Sequence, residues 1–263
     1  MGPSGSSRVL VPAVALALLA TVAVDIARRA LWRSPPALRP AVVAATDSGR
    51  GVPADAGTGT TGGTAPGSSA GRLDAATRQS ALRHIALLED GTYLPAMLEE
   101  GDSILHRWDD PDAVLHVWVQ PGVVPGFVGP FADAVTAAEA RWNAVGLPLD
   151  LAPGSDSASA DITVVWSAQL DSNRTGRAVL TWRQRGPIVH VAITLATHFP
   201  GGRPVSAPQM EALALHELGH AIGLDHSPDR RDVMFPEPSA AEPTLRDRQT
   251  ALLLYSVPAG DLK

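Results

Sequence analysis

Eleven residues constrain this chain more than any others. Residues 216–226 read HELGHAIGLDH, placing three of the chain's eight His residues within eleven positions. On an α-helix, positions i and i+4 share a face, so His216 and His220 can each offer a ring nitrogen to one ion about 2.0–2.1 Å away. The helix they need is signalled at both ends. Ser206-Ala207-Pro208-Gln209 has the form of a capping box with Pro in the first turn, and Gly223 suits the left-handed terminating position. The spacing predicts a helix over Ala207 to Ile222 and a sharp turn at Gly223. Leu224 and Asp225 then lead back so that His226 supplies a third ligand. A β-branched residue at 223 would be strained there.

Three neutral imidazoles leave one position of a zinc ion open, which separates a catalytic site from a closed structural one. Zinc lowers the pKa of a water in that position towards roughly 7. Glu217, beside the first ligand, is placed to accept its proton and deliver it to a leaving amine. The pattern thus points to one catalytic Zn2+ ion held by His216, His220 and His226, with Glu217 as general base. Two rivals stay open. In one, zinc only staples a non-catalytic peptide-binding module; a carboxylate at position 217 argues against it, because a structural site has no use for one there. In the other, the third ligand is a downstream Glu such as Glu237 or Glu242; His226 is nearer in sequence.

The chain has no Cys, so any metal must sit on His and carboxylates, and no thiol nucleophile or disulfide framework can be invoked. Charge is unevenly spread. Residues 1–70 carry six Arg against three Asp, which is +3, and the net −6 of the whole therefore leaves −9 on the remainder. An acidic globular part without a basic stripe excludes nucleic acid as the expected partner. Peptide or protein substrate is expected instead; oligomeric state is not legible.

Residues 9–27 (VLVPAVALALLATVAVDIA) are almost uninterruptedly apolar and are flanked by Arg8, Arg28 and Arg29. This length suits a signal peptide or a single N-terminal membrane anchor. The domain that follows is therefore expected outside the cytoplasm, anchored or secreted. Residues 46–71 are Gly, Ser, Thr and Ala with almost no large apolar side chain, a composition too poor in buriable surface to offset its ordering entropy. The organisation expected is 1–30 signal or anchor, 31–71 linker, 72–112 a helical segment before the domain, and 113–258 the domain itself. Whether residues 72–112 belong to the fold or inhibit it is open.

Order is expected to begin with a helix over 74–90 capped by Asp74, then a short helix over Leu94 to Glu100. Val114–Gln120, Ala160–Ser167, Ala178–Gln184 and Ile188–Ala196 alternate like strands, and the helically spaced Phe131, Val135, Ala138 and Trp142 mark an amphipathic helix between the first two. Strand, helix, several strands, then helix is an α+β arrangement with a mixed sheet packed by helices.

HELGHAIGLDH followed by Ser227 resembles the metzincin zinc peptidases, and most of all their matrixin branch. Val233-Met234-Phe235-Pro236 resembles the Met-turn of that family, in which a Met underlies the ligands without binding the ion. LRDRQTALLLY, residues 245–255, resembles its closing helix. The resemblance implies a metzincin-like catalytic domain: a twisted, mostly parallel mixed sheet with an active-site helix, a crossing helix and a C-terminal helix, acting as a zinc-dependent endopeptidase. It also implies that Gly176–Gln184 is the edge strand above the cleft, pairing with extended substrate. Two departures stand out: this chain lacks the inhibitory propeptide Cys of animal matrixins, and it has no clear counterpart of their loop for further zinc and calcium ions. His84, His106, His116, His190 and His198 read as ordinary hydrogen-bonded histidines.

Overall fold

The computed structural model describes residues 40–44, 73–88, 91–100, 103–110, 112–171, 173–183 and 186–263. The expected signal or anchor lies outside them, as does most of the expected linker. Among the described residues no helix is long and apolar enough to cross a membrane.

In chain order the elements are β1 (Pro40–Ala44), α1 (Ala75–Leu87), α2 (Leu94–Glu100), β2 (Ile104–Leu105), β3 (Ala113–Val119), α3 (Pro130–Asn143), β4 (Leu149–Pro153), β5 (Ile162–Ser167), β6 (Gly176–Arg183), β7 (Ile188–Ala196), α4 (Ala207–Ala221), α5 (Leu245–Ser256) and β8 (Gly260–Asp261). The main sheet has the order β1-β6-β7-β5-β3-β4. The pairs β4–β3, β3–β5 and β5–β7 are parallel; β6 runs antiparallel to β7. This is the mixed, mostly parallel α+β architecture the sequence pointed to.

Alternation explains which face is packed. Leu115 and Val117 of β3, Ile162, Val164 and Trp166 of β5, and Val191, Ile193 and Leu195 of β7 point to one buried face, while His116, Thr163 and Ala192 face the other way. Helices α3 and α4 cover the apolar face. Trp142 of α3 is 1% exposed and its indole N–H donates to the Leu215 carbonyl of α4 at 2.8 Å, so the largest side chain of the interface is also polar-satisfied. Burying one such aromatic contributes on the order of 2–3 kcal/mol. Asn143 closes the end of α3 by pairing its side chain with both the N–H and the carbonyl of Leu151 in β4.

Two placements bear on the organisation expected from the sequence. Pro40–Ala44, inside the stretch expected as linker, pairs antiparallel with β6 over Val179–Arg183, so β6 is not the edge of the sheet there. A β6 edge offers unpaired N–H and C=O groups, and the chain's own upstream residues fill part of that row. The segment over 73–110 is woven into the same compact unit, Arg39–Lys263. Tyr93, Leu94, Leu105 and Trp108 are buried, β2 pairs with β8, the Trp108 indole donates to the Ala221 carbonyl, and Arg107 donates to the Val257 carbonyl.

Candidate metal centre

Helix α4 sets the site. Its capping box between Ser206 and Gln209 is present, and with Pro208 in the first turn it starts where the sequence predicts. The helix ends at Ala221 with Ile222 as cap. Gly223 follows at φ +98°, and a methyl on its α-carbon would meet the His106 carbonyl oxygen at 2.3 Å. Position 223 therefore excludes side chains for two reasons: the left-handed backbone and the close approach of the 73–110 segment.

His216, His220 and His226 come together, with ligand atoms all within 4.8 Å of one another. His216 Nδ1 lies 2.8 Å from the Val233 carbonyl, and His220 Nδ1 lies 2.8 Å from the Leu224 carbonyl. A carbonyl only accepts, so both Nδ1 atoms carry the proton and both Nε2 atoms present lone pairs. Those two Nε2 atoms are 3.2 Å apart. Two facing lone pairs repel, whereas nitrogens on one tetrahedral zinc at about 2.0–2.1 Å are roughly 3.3 Å apart. The His226 ring completes the group, with centroids 5.4 Å from His216 and 4.9 Å from His220. The donor set fits a zinc ion. Burial, reinforced by His220 and His226, pushes the His216 imidazole well below its ordinary pKa, keeping it neutral as a ligand must be.

Met234 is fully buried against α4. A methyl on Gly219, one residue before His220, would sit 2.2 Å from its sulfur, so the missing side chain at 219 is what lets Met234 approach α4. The Ser227 amide donates to the Met234 carbonyl at 2.8 Å, tying the loop that carries His226 to this turn. Asp232, 3% exposed, accepts from the Ser227 hydroxyl, from Thr244 at 2.8 Å and from Arg246 at 2.6 Å. Glu242, the rival ligand, is exposed and held by Arg141 at 2.8 Å.

Glu217 is 5% exposed and lies against Gly176, the first residue of β6. A cavity of about 490 Å3 opens beside it, reaching from His216 and Glu217 past Ala212 to Phe199, Arg203 and Pro238. The loop after β7, through Pro200 and Arg203, and the residues after Met234, Pro236–Ser239, line it. Sequence reasoning missed Gly176, Asp247 and the two carbonyls that orient the imidazoles. Four of the other five histidines have ordinary polar partners: His84 meets Ser256, His106 the Gly186 carbonyl, His116 Asp161 and His198 Thr197.

The family model Peptidase_M10, described as matrixin, matches residues 131–251. That span contains α3, the sheet from β4 to β7, α4, the Met-turn and the start of α5. Comparison with curated proteins gives no significant match. Among solved structures, one titled "Structure of Myroilysin" aligns at 15% identity with a TM-score of 0.29, over 46% of this chain and 44% of that one. The alignment thus spans less than half the length of that chain.

Proposed function

We propose that this protein is a zinc-dependent endopeptidase that hydrolyses peptide bonds of extended polypeptides, a reading supported by the match of residues 131–251 to the matrixin family model. The observation that supports it best is the pair of Nε2 lone pairs 3.2 Å apart, both turned inward by backbone carbonyls, beside a buried Glu. His216, His220 and His226 would hold the ion. Bound there, zinc supplies Lewis-acid chemistry, activating water and polarising a peptide carbonyl.

The chain's own groups do the rest. Glu217 accepts the proton of the attacking water and hands it to the departing amine. The Val233 and Leu224 carbonyls hold the two helix imidazoles in one tautomer throughout. The cavity beside Glu217 receives a substrate side chain, and the start of β6 from Gly176 offers backbone groups to an extended strand. Because β1 covers Val179–Arg183, a longer substrate strand must displace it. The apolar residues 9–27 support an exported enzyme, anchored or secreted.

The ligand set is tested by metal analysis of His226→Ala and Glu242→Ala. Zinc is lost from the first and kept at one per chain by the second; the opposite pattern places the third ligand on Glu242 and overturns this assignment.

A further inference from the structure

The ring of His216 is oriented from a distance. Its Nδ1 donates to the Val233 carbonyl at 2.8 Å, and the amide of that same Val233 donates to Asp247 Oδ2 at 3.0 Å. The other oxygen of Asp247, Oδ1, accepts from the Tyr93 hydroxyl at 3.1 Å. All four residues are buried: Tyr93 1%, Asp247 0%, Val233 0% and His216 2% exposed. Asp247 Oδ2 also takes the Thr244 amide at 2.8 Å as the closing half of the α5 capping box. One carboxylate thus serves three elements.

We propose that Tyr93, contributed by the segment before the matrixin-matched region, is a positioning residue for the metal centre, acting on His216 through Asp247 and the backbone of Val233. The proposal rests on the zinc-site reading above. A buried carboxylate is costly unless its oxygens are satisfied, and Oδ1 faces the phenol while Oδ2 holds the turn. With the hydroxyl gone, Oδ1 must find another donor, which pulls the carboxylate away from the Val233 amide. The backbone of Val233 then loses the anchor on its N–H that helps to aim its carbonyl at His216. Tyr93 is itself fixed by its own amide, which donates to the Thr250 hydroxyl at 3.0 Å, and by its place just before α2. The segment over 73–110 therefore takes part in building the site.

The test compares the full chain with Tyr93→Phe and, as control, Ser103→Ala. Ser103 lies in the same segment and donates its hydroxyl to the Leu98 carbonyl at 3.0 Å, without a path to the metal centre. Three readouts are taken: zinc Kd by chelator competition, the hydrogen-bonded His216 Nδ1–H proton resonance, and the thermal midpoint of the metal-free form. Tyr93→Phe is expected to weaken zinc binding about tenfold and to shift the His216 resonance, as losses of outer-sphere partners do. Ser103→Ala lowers the midpoint and leaves both other readouts alone. If Tyr93→Phe changes only the midpoint, Tyr93 is merely structural and the proposal fails. A parent that binds one zinc but cuts no peptide sinks the peptidase reading alone; a parent that binds no zinc overturns both.

Discussion

The first residue of β6 is shaped around the proposed general base: a methyl group on Gly176 would sit 2.1 Å from Glu217 Oε1. The backbone at 176 lies outside the left-handed region, so Ala is tolerated there by the chain itself and the conflict is purely with the carboxylate. Gly176→Ala is expected to turn Glu217 aside, lowering kcat at least tenfold while zinc stays at one per chain. Loss of zinc together with activity would show that position 176 supports the ligands instead.

Removing residues 1–72 takes away β1 and leaves α1, α2 and β2 in place. That shortened chain is expected to fold, to bind one zinc, and to show a lower KM for peptides, because the whole β6 row becomes available to an extended strand. Removing residues 1–112 is different. It strips Tyr93, Leu94, Leu105 and Trp108 from the core and uncovers the end of α4, at about 2–5 kcal/mol for each large side chain lost. Circular dichroism and denaturant titration of the two truncations check this; a stable, zinc-binding chain starting at residue 113 would contradict it.

Glu139 of α3 is buried at 5% exposure, and burial alone pushes its carboxyl up to about 7. The folded state thus prefers the protonated acid, whereas the unfolded chain ionises near 4.5. Stability contributed by this group is complete below about pH 4.5 and is lost as pH rises through about 7. Glu139→Gln removes that dependence, so the variant gains on the parent by about 1–2 kcal/mol between pH 4.5 and 7.5, after allowing for residual solvent screening. Parallel unfolding curves at both pH values would contradict the assignment.

How legible the site was depended on whether its parts lie close in the chain. The His216–Glu217–His220 set shares two turns of α4, and Ser206 and Gly223 mark its ends, so local rules suffice for it. The bounds of α2 and β7 follow equally from strong local patterns. β4 was not anticipated: Leu149 and Leu151 are its only buried apolar positions, set between two Pro, which is too short an alternation to register. β2 and β8 are two residues each and exist only because they pair with each other. Gly176, Asp247 and Tyr93 act on the centre across 41, 31 and 123 positions from Glu217, His216 and His216 respectively. Their roles are products of packing and leave no periodic trace.

The central claim is tested most directly by comparing the chain with its Glu217→Ala form, measuring zinc per chain and cleavage of an unstructured protein with and without chelator. The account predicts one zinc in each, cleavage by the parent alone, and loss of that cleavage on chelation. Equal cleavage by both forms, or zinc-loaded parent that leaves every extended substrate intact, would contradict it.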